Sequence, residues 1–192
     1  GRQILLPRGR ILGGCSSTNG MVYFRGHPRD FDEWAELGNA GWSFAEVLPY
    51  FLRSENNDDY RDSPWHGTTG EMHISHVRQY NPMIHPFLAA TSALGYGRCA
   101  DFNGVHDPVG FDVRQNAIHN GRRVSGVTAF LDPVRNRQNL HIFTDSLVHR
   151  IEIAEGRATG VTLERGGVRE TLHARREVLL SAGAYGSPAI LQ

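Results

Sequence analysis

The sequence predicts an α/β fold that combines a parallel sheet, covered on both faces, with an antiparallel part. Three observations carry this. Residues 177–181 are a continuous apolar run that passes through Ala182-Gly183-Ala184 to Ser187-Pro188, the strand, glycine turn and helix start of a parallel α/β sheet. Upstream, residues 140–144, 147–153, 158–164 and 168–173 are four strand candidates separated by turn chemistry such as Glu155-Gly156 and Gly166-Gly167, which predicts an antiparallel meander. Near the beginning, residues 9–22 combine glycines with small hydroxyl side chains, a composition suited to close backbone approach to a ligand.

In chain order, the short apolar run Ile4 to Leu6 precedes Pro7 and Gly9 and leads into GRILGGCSSTNGM. Ser16, Ser17, Thr18 and Asn19 are good N-cap types for a helix over Met21 to Phe24. Residues 30–37 read as a helix with Asp30 as N-cap, Glu33 three residues later and Phe31, Trp34 and Leu37 on one face. Ser43 and Glu46 repeat that pattern ahead of a helix over 44–54, which Pro49 should distort. Residues 55–69 read as an exposed loop, 71–77 as a strand, 82–94 as a helix closed by Gly95, and 109–115 as extended chain.

Composition narrows the function. With 192 residues the chain can bury a real core, as one domain or as parts of two interleaved ones. Twenty basic residues, all arginine, balance twenty acidic ones, so no global field draws nucleic acid or an anionic membrane, and a small neutral partner fits better. Cys15 and Cys99 form no CxxC pair, and no apolar run is long enough to span a bilayer. The opening on GRQILLPRGR without methionine and the end at SPAILQ lead us to expect an internal piece of a longer protein.

Segment 9–22 is the most informative. Backbone groups around Gly13 and Gly14, with a helix start after them, could face a pyrophosphate, although an ordinary glycine-rich turn accounts for the same residues equally well. The ten histidines show no HExxH or histidine–carboxylate spacing, and His73 and His76 fall on opposite faces of a strand, so no metal site is expected. His119 and His149 read as polar surface or turn residues. Nor is there a GxSxG elbow.

The string GRILGGCSSTNGMVYFRGHPRDFDEW resembles the first signature of the glucose–methanol–choline (GMC) oxidoreductases. The likeness continues through GWSFAEVLPYF, Asp101-Phe102-Asn103-Gly104, GRRVSGVTAFLDP and NLHIFTDSLVHRI to LLSAGAYGSPAIL, similar to the second family signature, and is strongest to the choline dehydrogenase-like branch. The resemblance implies an FAD-binding Rossmann-type domain interleaved with an antiparallel-sheet substrate domain. Residues 1–67 and 121–192 would belong to the first and 68–120 to the second.

It further implies an FAD-dependent enzyme that takes a hydride from an alcohol carbon to flavin N5, with a small-molecule alcohol as substrate and an electron acceptor left open. Cofactor contacts fall at Ile11, Gly13, Gly14, Asn19, Gly20, Met21 and Val22, and at Val148 on the adenine side. Thr18 stands where some choline oxidases carry a flavin-linking histidine, which implies noncovalent FAD. No catalytic residue and no GxGxxG fingerprint of the family lies within these residues. A flavin-containing hydroxynitrile lyase and a nonenzymatic fragment are the rival readings, and a cytoplasmic location is expected. From the residues themselves, Asp112 and Arg114 either face a substrate cavity or form a solvated edge, and Arg25 and Asp30 form a local ion pair.

Overall fold

The computed structural model describes residues 2–104 and 109–192. The chain forms two compact units, Gly1–Arg137 and Gln138–Gln192. In the first, a 3-10 turn at Gly14–Ser17 is followed by helices α1 (Pro28–Glu36) and α2 (Phe44–Ser54). Strands β1 (Glu55–Asn57) and β2 (Met72–Ile74) pair in parallel, with Glu55 opposite Met72 and Asn57 opposite Ile74. Helix α3 (Ile84–Ala93) precedes a two-stranded antiparallel hairpin of β3 (Ile118–His119) and β4 (Arg122–Arg123).

Local chemistry explains the helix starts. His27, not Asp30, caps α1: its Nδ1 accepts from the Arg29 N–H at 3.1 Å, and the Asp30 carboxylate accepts from the His27 N–H at 3.1 Å. Pro28 at the first helical position, which needs no N–H, moves the start two residues upstream of the expected one. Glu46 accepts from the Ser43 N–H at 3.2 Å and hydroxyl at 2.6 Å, as predicted, and α2 runs its full span with Pro49 inside it. Phe31 joins the two helices through aromatic contacts with Phe44 and Phe51 at 6.0 and 5.7 Å.

Two expectations change here. Residues 21–24 are not helical, because their backbone is taken by residues 115–117: Tyr23 N–H donates to Gln115 at 3.1 Å and Ala117 N–H to Met21 at 2.7 Å. Residues 55–69 do not begin as an exposed loop, since Glu55 and Asn57 are fully buried in β1. The small apolar core of this unit is Ile74, Ala117, Val124 and Ala129, with Tyr23 and Met72 against it.

Beside that core lies a buried polar network. Arg25 pairs with Glu55, not with Asp30 as one reading of the sequence allowed, and His66 bridges Glu55 and Asp101 at 2.9 Å on either ring nitrogen. Asn57 donates to Glu55 at 2.8 Å, and Asn103 accepts from the Arg25 N–H at 3.0 Å and donates to the Tyr23 carbonyl at 3.2 Å. Buried charges survive only when paired and hydrogen-bonded in this way.

The second unit is a three-stranded antiparallel meander, β5 (Ser146–Ala154), β6 (Arg157–Arg165) and β7 (Val168–His173), in that order, followed by α4 (Gly183–Leu191). Its turns use Glu155-Gly156 (φ 50° and 75°) and Gly166-Gly167 (φ 58° and 79°), the left-handed pairs that suit two-residue hairpins. Residues 140–144 form no strand, which leaves three strands where four were expected. Residues 177–181 join no ladder among the described residues, since no described strand offers them an edge, and Leu179 is 81 % exposed. Helix α4 starts at Gly183 instead of Ser187; the Ser187 hydroxyl accepts from the Ala182 N–H at 3.1 Å, so it serves the helix start from inside.

Candidate functional site

The glycine-rich loop is a tight backbone structure held from below and open above. Gly14 N–H donates to Ile11 at 2.8 Å, Asn19 N–H to Cys15 at 2.8 Å, and the Ser17 hydroxyl to Leu12 at 2.8 Å. Gly13 has φ 83° and Gly14 φ 54°, a left-handed pair that side chains with a Cβ rarely adopt. Ile11, Gly13, Cys15, Thr18, Asn19, Gly20 and Val22 are exposed, so the loop presents its backbone to an approaching molecule. At Gly14 and Gly20 an added Cβ would meet nothing within 4 Å, so these two positions face open space.

Met21 has φ 62°, an uncommon conformation for a side chain of its size. Two bonds impose it: the Met21 N–H reaches the Asn19 side chain at 3.0 Å and its carbonyl accepts from Ala117. The predicted helix start after the loop is missing, so its dipole contributes nothing here; anion attraction has to come from the individual N–H groups.

Three supporting residues escaped the sequence reading. Arg123, from β4, donates through Nη1 to the Ser16 carbonyl at 3.1 Å and to the Asn19 side chain at 2.8 Å. Asn116 donates to the Gly20 carbonyl at 3.2 Å. The Gly126 N–H donates to the Ser16 hydroxyl at 2.9 Å. Each lies about a hundred residues from its partner; Arg123 and Gly126 fall inside the family-like string GRRVSGVTAFLDP, but nothing in that string points back to the loop.

The structure thus gathers Ile11, Gly13, Gly14, Asn19, Gly20, Met21 and Val22 on one loop in the first unit. Val148 belongs to the second unit, on β5, where it pairs with Leu163 at the point where the register slips and His149 becomes the extra residue of a bulge. Asp112 is held by Arg98 through two bonds of 2.9 Å, whereas Arg114 is exposed. His149 lies 3.3 Å from Glu164.

The family model described as GMC oxidoreductase matches residues 1–192. Oxygen-dependent choline dehydrogenase of Brucella anthropi is 42% identical over 191 residues, 100% of this chain and 34% of that protein. The protein of the same name from Rhizobium etli is 44% identical over 190 residues, 99% of this chain and 34% of its own length. The chain therefore spans about a third of the curated relatives it matches. Among solved structures, pyridoxine 4-oxidase superposes with a TM-score of 0.87 at 33% identity, over 95% of this chain and 36% of that one. An FAD-dependent oxidoreductase from Chaetomium thermophilum gives 0.83 at 28%, over 95% and 34%.

Proposed function

Starting from the fact that this chain belongs to the GMC oxidoreductase family, we propose that it forms part of an FAD-dependent enzyme that oxidises a small alcohol to an aldehyde or ketone. The observation that carries this is the loop at residues 11–22, exposed, left-handed at Gly13, Gly14 and Met21, and braced from beneath by Arg123 and Asn116. A flat, polyanionic dinucleotide needs such a surface: bare backbone close to the ligand, donors without bulky side chains, and a geometry fixed in advance. The open space over Gly14 and Gly20 fits that requirement. Bound there, FAD would supply the hydride acceptor that no amino-acid side chain can provide.

The chain's own contribution is to position. Ile11, Gly13 and Gly14 would hold the cofactor's polar part and Asn19, Gly20, Met21 and Val22 its ring, while Val148 on β5 would serve the adenine side. Residues 1–67 and 121–192 would form the cofactor domain and 68–120 the substrate domain, a division supported by the order of family motifs along the chain. Threonine at position 18 offers no imidazole for a histidyl link, which supports noncovalent FAD. No helix of the described residues is long and apolar enough to cross a membrane.

The test uses the full-length protein that carries this chain. It should be yellow as purified, lose its visible flavin absorbance when mixed anaerobically with choline or another primary alcohol, and release the flavin into the supernatant on acid precipitation. A protein without flavin, or a flavin that no alcohol reduces, would overturn the reading. Flavin that stays in the acid pellet would overturn its noncovalent part.

A further inference from the structure

We propose that Asp58, His73 and His119 form a binding site for one divalent transition-metal ion of the zinc type. Three separate elements deliver these residues to one point. Asp58 directly follows β1, His73 is the middle residue of β2, and His119 ends β3. Backbone bonds fix all three. The Asp58 N–H donates to Ile74 at 2.9 Å, and Ser75 and Asn116 exchange two bonds of 2.9 and 2.8 Å that set β2 against the chain leading into β3. The Ser75 hydroxyl adds a bond to the Ile118 carbonyl at 3.0 Å.

The donor atoms of the three side chains lie within 4.8 Å of one another. Each carboxylate oxygen of Asp58 faces one imidazole: Oδ1 lies 3.7 Å from His73 Nδ1, and Oδ2 lies 3.5 Å from His119 Nδ1. Those distances are too long for hydrogen bonds. Both Nδ1 atoms are closed to solvent and find no hydrogen-bond partner among the described residues. The two rings are also pressed together, with centroids 3.7 Å apart. Two adjacent polar nitrogens left this way are a standing cost to the fold.

A cation between them resolves the arrangement. Metal bonds of about 2.1 Å at tetrahedral angles place neighbouring donor atoms roughly 3.4 Å apart, and with one donor atom from each residue already within 4.8 Å of the others, small side-chain rotations close the set on one ion. Two neutral imidazoles and one carboxylate select a borderline transition metal over calcium or magnesium, which prefer oxygen donors. Three protein ligands leave at least one coordination position free, and His73 and His119 both line a cavity of about 440 Å³ that also contains Glu71 and Arg122. The ion would tie β2, β3 and the residue after β1 together, and the loop at residues 11–22 plays no part in it.

The experiment is metal uptake by the full-length protein after chelator treatment and desalting. Zinc titrated by calorimetry should show one equivalent that disappears, or weakens by about 100-fold, in the His73→Asn/His119→Asn double variant and in Asp58→Asn. Cobalt(II) added to the unaltered protein should develop the visible bands of a nitrogen- and oxygen-ligated ion of low coordination number, a result that needs no variant to fold. Absence of those bands, or equal zinc stoichiometry and affinity in the unaltered protein and the folded variants, would overturn the proposal.

Discussion

The guanidinium of Arg123 donates to the side-chain oxygen of Asn19 at 2.8 Å and so fixes the residue whose same oxygen also receives the Met21 N–H. One side-chain oxygen therefore couples the β3–β4 hairpin to the left-handed turn at Met21. Arg123→Met removes both this bond and the one to the Ser16 carbonyl while keeping most of the apolar stem. It should weaken FAD binding by about tenfold, or about 1.4 kcal/mol, with little change in melting temperature. Flavin fluorescence titration of the stripped protein reads the effect, and an unchanged dissociation constant would remove Arg123 from the bracing of the loop.

Gly13 and Gly14 share the same backbone class but should fail differently. A Cβ on Gly13 would lie 2.4 Å from the Ser17 hydroxyl and 2.9 Å from a Val127 methyl, whereas one on Gly14 would meet only open space. Gly13→Val is therefore expected to destabilise the fold. Gly14→Val adds backbone strain of about 1–2 kcal/mol and fills the ligand's side of the loop, so it should fold yet retain little flavin. Thermal melts combined with flavin-to-protein ratios separate the two, and a folded Gly14→Val protein with full flavin content would place the cofactor elsewhere.

Legibility in the sequence followed the range of the interaction. The Ser43–Glu46 box and the Glu155-Gly156 and Gly166-Gly167 turns act over two to four residues, and each stands where the pattern put it. The loop at residues 9–22 was visible as a composition, but its braces were not, because nothing local links Asn116 to Gly20 or Arg123 to Asn19. Burial of Glu55 was misread for the same reason. A polar Glu-Asn-Asn segment looks solvated until Arg25 and His66, thirty residues before and eleven after Glu55, supply its partners. Residues 177–181 show the opposite case, in which a strong strand pattern joins no ladder among the described residues because pattern alone does not supply an edge.

The His66 network should make stability depend on pH in a defined window. Burial pushes the imidazole's pKa down, but hydrogen bonds to Asp101 and Glu55 outweigh it and hold the value above its ordinary 6.5. Its contribution is thus complete below 6.5 and is lost as pH rises through the folded value. Burial raises both carboxyls, yet His66, with Arg25 at Glu55, holds them below their ordinary 4.5 and 3.8, so their contribution is lost only as pH falls through those lowered values. Stability from the network should therefore peak between the two ranges. His66→Gln should cost about 3 kcal/mol near pH 6 and less near pH 9, measured by urea unfolding; an equal cost at both would show that the imidazole is neutral in the folded protein.

The last prediction concerns the 192 residues expressed by themselves. Few of the large hydrophobic side chains are buried: Phe31, Ile74, Leu88, Val124 and Leu163 are, whereas Leu5, Leu37, Tyr50, Val109, Leu179 and Leu191 are each at least two-thirds exposed. The run at 177–181 carries apolar side chains on backbone that joins no ladder among the described residues, the combination that recruits another chain by edge pairing. In the longer GMC proteins that this chain matches over a third of their length, such surface has further chain available to cover it. Alone, the chain is expected to bind a hydrophobic dye, to unfold with low cooperativity, to associate as concentration rises, and to leave alcohols unoxidised. A monomeric species with a sharp urea transition and bound flavin that alcohol reduces would show that this surface needs no cover and that the chemistry resides within these residues.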